Sequence, residues 1–161
     1  MFRNLFLSSL FLFAFSCSET SINKGNDAYL KETINYQSKN IYGFENLFDG
    51  RITSQVDQNV FGVLHFPNNY DASRQYPLVI ASHGSSNWRD HHRRYLEQMR
   101  QADYLVFAIH PFDSRDVSST VGNQINVTSE TVIYEMAQAL NLMSKDSRID
   151  NQKIFAAGWS L

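Results

Sequence analysis

Three short apolar runs along the chain predict β-strands. They comprise residues 78–81, 104–109 and 154–157, and polar residues bound each of them. Continuous apolar runs of this length are typical of parallel strands that are covered on both faces. An earlier segment, NVFGVLHFPNN at residues 59–69, mixes β-forming residues with a proline and predicts an antiparallel strand. The pattern therefore predicts a mostly parallel sheet that an antiparallel strand precedes.

Between these runs, two segments have the spacing of amphipathic helices. In WRDHHRRYLEQMRQ and SETVIYEMAQALNLMSK, the side chains predicted to face the sheet recur every three or four residues. They are His92, Tyr95, Leu96 and Met99 in the first segment and Ile133, Met136, Leu140 and Met143 in the second. The arginines of the first segment are expected to face solvent. The order strand, helix, strand, helix, strand predicts a doubly wound α/β fold, whose ligands bind beyond the carboxyl ends of the strands.

The first 17 residues have the pattern of an export signal. Arg3 precedes an apolar stretch at residues 5–15, which is too short to span a bilayer because a spanning helix needs about 20 residues. Cys17 follows a small residue, as in a bacterial lipoprotein signal, although Ala14 stands where that signal usually has leucine. Ala14 and Ser16 also fit ordinary signal cleavage. Both alternatives predict an exported protein, and the first adds a membrane anchor through a lipid on Cys17.

Residues 18–40 are expected to form a polar tether. They are rich in Ser, Asn, Lys and Thr and contain few branched apolar residues, a composition that favours a solvated segment. The folded domain is therefore predicted to comprise residues 41–161.

Composition excludes several classes of function. Fourteen lysines and arginines against 16 acidic residues give a net charge of −2, and no basic stripe predicts nucleic-acid binding. A single cysteine permits neither an internal disulfide nor a CxxC metal site, and no HExxH-like spacing occurs. We therefore expect no metal and no cofactor.

The candidate chemistry lies at the predicted carboxyl ends of the strands. Ser160 follows the third strand in the sequence GWSL, which is the position of a nucleophile on a sharp strand-to-helix turn. Such a turn needs small neighbours, and Gly158 meets that need on the upstream side. A Gly-x-Ser tripeptide alone is common in loops, but its place after a strand of an α/β pattern favours a catalytic serine.

A His-Gly turn after the first strand predicts the second part of the site. Negative charge that develops on a carbonyl oxygen is stabilised by backbone N–H groups, here predicted to be those of Ser85 and Leu161. Gly84 lets the backbone approach the substrate because it has no side chain. His83 is interpreted as a support for this turn and not as a base.

Four segments resemble the dienelactone hydrolase family of the α/β-hydrolase superfamily: YPLVIASHGSS, HHRRY, DVSSTVGNQINV and SRIDNQKIFAAGWSL. The similarity begins at about Val60, and it implies the N-terminal half of a three-layer α/β-hydrolase fold. It also implies hydrolysis of a small-molecule ester, lactone or related acyl bond through an acyl-enzyme. The founding members use a cysteine nucleophile and are cytoplasmic. Because this chain has Ser160 and an export signal, the dienelactone substrate itself does not carry over.

The rest of the catalytic triad is not found after Ser160. In the superfamily the acid and the histidine follow the serine, so we expect a truncated exported serine hydrolase that is inactive as it stands. Loss of triad partners costs about 10⁴ to 10⁶ in turnover. Two alternatives stay open: a non-catalytic, lipid-anchored binding protein, and an acyltransferase or peptidase of the same superfamily. Trp88, Phe112 and Trp159 are expected near the mouth of the site, where they favour an apolar or aromatic group, although ordinary packing explains them equally well.

Overall fold

A computed structural model describes residues 29–49, 52 and 55–160 of the chain. The predicted export signal with Cys17, the first part of the tether and Leu161 lie outside the described residues. Of the helices in the described part, none is long and apolar enough to cross a membrane.

The described residues form a five-stranded mixed sheet with helices on both faces. The strands are β1 (Lys31–Lys39), β2 (Asp57–His65), β3 (Tyr76–Ser82), β4 (Leu105–Ile109) and β5 (Ile149–Gly158). The helices are α1 (Glu45–Phe48), α2 (Asp90–Gln101) and α3 (Ser129–Met143), and a 3₁₀ turn spans Asp113–Arg115. The strand order is β1-β2-β4-β3-β5. Pairing is parallel between β3 and both β4 and β5, and it is antiparallel where β2 meets β1 and β4.

The α/β fold class and the main elements predicted from the hydrophobic pattern are confirmed. The three apolar runs form the parallel strands β3, β4 and β5, and the segment at residues 59–69 contributes most of β2. The two helical segments form α2 and α3, one on each face of the sheet. One core cluster contains Leu78, Phe107 and Met143. The smaller cluster on the opposite face contains Leu96 and Ala108.

The tether prediction is wrong for residues 31–39, which form β1. This strand pairs with β2 along its whole length, from Lys31 opposite His65 to Lys39 opposite Asp57. Tyr36 and Ser38 are buried and alternate with exposed residues, as in a strand with one covered face. Composition averaged over the whole segment conceals this period of two, because the exposed positions are polar.

The buried face of α2 differs in part from the predicted one, since His92 and Leu96 are buried as expected but Tyr95 is not. Tyr95 is 48% exposed, whereas Arg100, which was expected to face solvent, is 2% exposed. The Arg100 guanidinium donates hydrogen bonds to the Phe66 carbonyl at 2.6 Å and to Asn68 Oδ1 at 2.7 Å, and it also pairs with Glu97. A charged side chain is buried here because polar partners surround it.

The predicted apolar stripe of α3 is also wrong in part. Ile133 and Leu140 are 48% and 46% exposed. The buried side chains are Thr131, Val132, Glu135, Ala139 and Met143. Two of these are polar and have partners across the layer: Thr131 Oγ1 accepts from the Ile41 N–H at 2.9 Å, and Glu135 Oε2 pairs with Arg115 at 2.9 Å. Among the described residues, Glu135 Oε1 has no hydrogen-bond partner. Because Thr131 and Glu135 bond to these partners, α3 buries a different face from the one that its apolar residues alone predict.

Candidate active site

The turn after β3 holds a buried histidine. His83 is in edge-to-face contact with Phe112, with ring centroids 4.4 Å apart, and its Nδ1 donates to the Gly84 carbonyl at 2.8 Å. Burial lowers the pKa of His83 to about 4, so the ring is neutral at pH 7. These contacts are those of a side chain that packs beneath a turn. The supporting role of His83 stays a prediction.

Gly84 and Ser85 meet Ser160 where the carboxyl ends of β3 and β5 lie side by side. The Ser85 N–H donates to the Ser160 carbonyl oxygen at 3.1 Å. A Cβ on Gly84 would overlap that same oxygen, so glycine is required for the approach. The Ser85 carbonyl is held in turn by the Thr120 N–H and the Ser119 hydroxyl, both at 2.9 Å. The structure therefore brings the predicted nucleophile and one predicted oxyanion donor together.

Gly158 shows no such requirement. It is the last residue of β5, and a Cβ built there would meet no atom of the described residues within 4 Å. The structure thus gives no steric reason for glycine at this position, although the turn geometry predicted one. Leu161, the second predicted oxyanion donor, lies outside the described residues.

A cleft of about 460 Å³ opens beside Ser160. Ser85, His91, His92, Val121 and Trp159 are among its lining residues. Trp159 stacks on Tyr95 with centroids 5.7 Å apart, and it contacts His92 at 5.1 Å. Of the three aromatic residues expected near the mouth, only Trp159 lines the cleft. Trp88 lines a different cavity, and Phe112 is fully buried against His83.

The sequence did not predict a polar network that joins the turn after β3 to the 3₁₀ turn. Asn87 has a positive φ of 65°, a conformation that asparagine tolerates better than most residues. Its Nδ2 donates to Asp113 Oδ1 at 2.7 Å, and His110 Nδ1 donates to Asp113 Oδ2 at 2.7 Å. The pair of turn-favouring residues Ser86 and Asn87 was the available signal for this bend.

Comparison with known proteins gives structural neighbours but no sequence relatives. No protein-family model matches the chain, and no curated protein is significantly similar to it. The structure resembles a candidate dienelactone hydrolase from Klebsiella pneumoniae subsp. pneumoniae, with a TM-score of 0.50 and 14% identity over 79% of this chain. It also resembles a candidate acetyl xylan esterase from Bacteroides fragilis, with a TM-score of 0.52 and 14% identity over 91% of this chain. The described residues form part of an α/β-hydrolase fold.

The chain spans about half the length of these α/β-hydrolase structures. It covers 50% of the Klebsiella protein and 43% of the Bacteroides protein. At 14% identity the likeness establishes the fold alone. The roles of Ser160 and Ser85 therefore stay predictions that rest on their positions.

A serine nucleophile on an α/β-hydrolase fold needs a histidine base. Two histidines line the Ser160 cleft, but neither is arranged as that base. His92 Nδ1 accepts from the Arg89 N–H at 3.0 Å, so the neutral ring carries its proton on Nε2. His91 is exposed, and no carboxylate among the described residues orients it. His110 does have a carboxylate partner, yet it lines a different cavity.

Proposed function

We propose that the whole protein is an exported serine hydrolase that cleaves an ester, lactone or related acyl bond of a small molecule. The observation that supports it is the meeting of the β3 and β5 ends on an α/β-hydrolase fold. There, Ser160 and the backbone N–H of Ser85 lie on one cleft. Ligands of open α/β sheets bind at this edge, beyond the carboxyl ends of the strands.

In the proposed reaction, the Ser160 hydroxyl attacks the substrate carbonyl. Its oxygen forms the new bond to carbon while a base takes the proton, and the carbonyl oxygen becomes an oxyanion. The Ser85 N–H stabilises that charge. Collapse of the tetrahedral intermediate expels the alcohol with the proton and leaves an acyl-enzyme, which water hydrolyses. Because the Ser85 N–H is bonded to the Ser160 carbonyl in this chain, that contact has to open before a substrate oxygen occupies the donor.

We propose further that the base and its carboxylate come from a part of the protein beyond these 161 residues. The chain spans half of the Klebsiella structure, and no described histidine is bonded to the Ser160 hydroxyl. The 161 residues alone are accordingly expected to lack esterase activity, since a serine hydroxyl without a base is a weak nucleophile.

Hydrolysis of a small activated ester by the whole protein tests this function. Ser160→Ala is expected to reduce turnover by about 10⁴-fold or more. The matched control is Ser86→Ala, because Ser86 lines the same cleft and has no assigned catalytic role. Its turnover should stay within a few fold of the parent. Equal activity of the parent and Ser160→Ala would contradict the assignment.

A further inference from the structure

A second cavity, of about 130 Å³, lies between α2 and the strands β1, β2 and β4. Within the part of the chain that the structure describes, it shares no lining residue with the Ser160 cleft. Six of its lining side chains carry polar hydrogens: Tyr29, Lys31, His65, Trp88, Arg93 and His110. The Trp88 N–H is already donated to the Ile109 carbonyl at 3.0 Å. No carboxylate is among the described residues that line the cavity. The volume exceeds that of a single water, about 30 Å³, several times over, so the cavity has room for a small ligand.

The two cations of this cavity are available to a ligand. Lys31 Nζ lies 4.1 Å from the centroid of the Tyr29 ring, and within the described ranges it forms no ion pair with a carboxylate. Arg93 pairs with Asp90 at 3.0 Å, but both side chains are largely exposed. Exposed pairs of this kind contribute little to stability, so an anion can replace Asp90 as the partner of Arg93.

One of the two imidazoles, that of His65, lies among positive charges. His65 is buried, and its Nδ1 lies 3.2 Å from the Tyr29 hydroxyl. Burial first, and then the charges of Lys31 and Arg100, lower the pKa of His65 to about 3. The acidic groups nearby are each already paired, Asp113 with His110 and Glu97 with Arg100. A bound anion would therefore be attracted by Lys31 and Arg93. Asp90, the carboxylate that it would displace from Arg93, is largely exposed and is not one of the residues that line the cavity.

We propose that this cavity binds a small oxyanion of the phosphate type. Its two flanking cations suit a doubly charged ligand, and charge-assisted hydrogen bonds are the strong ones in a partly enclosed site. The Tyr29 hydroxyl adds a neutral donor where His65 Nδ1 donates to its oxygen and leaves its hydrogen free. The site is separate from the Ser160 chemistry, so its failure would leave the proposed hydrolase function unaffected.

Thermal unfolding of the full chain in sodium phosphate, against sodium chloride of equal ionic strength at pH 7, tests this proposal. A ligand that binds the folded state raises Tm by an amount that depends on its concentration and dissociation constant. Lys31→Gln and Arg93→Gln are each expected to weaken phosphate binding and so raise its apparent Kd about tenfold. Lys145→Gln and Arg94→Gln are matched controls, because neither residue lines the cavity, and both should keep the parental response.

A local measurement complements the thermal one. Imidazole NMR resonances of His65 and His110 should shift saturably with phosphate in the parent and in both controls. General salting effects of phosphate act on every variant alike. Equal Tm responses in all five proteins, or imidazole shifts that follow chloride as closely as phosphate, would overturn the proposal.

Discussion

At the residue scale, the candidate site depends on two neighbours at the end of β3. Gly84 gives the backbone of β5 room to approach, and His83 fills the space beneath the turn without carrying charge. Both could be predicted as turn residues from the letters SHGSS after an apolar strand. The hydrogen bond between Ser85 and Ser160 could not, because it joins residues 75 positions apart (160 − 85) whose strands become neighbours only through the sheet order.

A matched pair of glycine substitutions tests the approach of β5. Gly84→Ala places a methyl group on the Ser160 carbonyl oxygen, and overpacking against backbone costs about 1–3 kcal/mol. Gly158→Ala places one in open space, so its free energy of unfolding should change by less than about 0.5 kcal/mol. Chemical denaturation of the full chain measures both. Equal effects of the two substitutions would show that β5 does not pack on the β3 turn as described.

Acid should destabilise the fold through His83. The folded pKa of about 4 lies below the usual 6.5, so the unfolded chain binds more protons between these values. Neutral His83 therefore contributes fully to the free energy of unfolding above pH 6.5, and this contribution is lost as the pH falls toward 4. The loss from this group is at most about 3 kcal/mol. His83→Gln should flatten this part of the pH profile measured by denaturant unfolding.

The control is His91→Gln, since His91 is exposed on α2. Its pH profile should match the parent. An unchanged slope in His83→Gln would mean that the buried imidazole does not set the acid sensitivity.

At the element scale, local pattern was sufficient where neighbouring residues decide the structure. The strands β3 and β4 are continuous apolar runs buried on both faces, so their type follows from the sequence alone. The buried faces of α2 and α3 did not follow from the local pattern. Arg100 and Glu135 are buried because they bond to residues that are distant in sequence. β1 was missed for a related reason, since a polar strand is stabilised by its partner β2.

The free edge of β5 should make the expressed segment 18–161 self-associate. β5 pairs with β3 on one side, and its Phe155 is 51% exposed. A cavity of about 230 Å³ beside it is lined by apolar side chains of α3 and β5, among them Met136, Leu140 and Ile154. Unpaired strand edges and apolar patches favour association. Size-exclusion chromatography with light scattering measures the oligomeric state.

Phe155→Lys should shift this segment toward monomer, because a charge on an edge strand opposes pairing. Val56→Lys is the control, since Val56 is an exposed apolar residue directly before β2, which β4 and β3 separate from β5. A monomeric parent, or the same shift in both variants, would contradict the role of the β5 edge.

At the scale of the whole molecule, the α/β-hydrolase fold is established over the described residues, whereas export rests on the first 17 residues. We expect a bacterial host to anchor the protein in its membrane through Cys17, because a small residue precedes this cysteine after the apolar stretch. Cys17→Ala should release the protein or leave it unprocessed, as membrane fractionation and intact-mass measurement would show. Ser18→Ala should behave as the parent. Normal maturation and membrane retention of Cys17→Ala would exclude the lipid.

The central claim is that Ser160 is the nucleophile of a hydrolase, and covalent labelling tests it most directly. The whole protein is treated with a fluorophosphonate, digested and analysed by mass spectrometry. An activated serine attacks phosphorus as it attacks a carbonyl, so the adduct is expected on the peptide that contains Ser160 and should be absent from Ser160→Ala. The 161 residues alone should remain unlabelled. A whole protein that hydrolyses esters but carries its adduct on another residue would contradict the account.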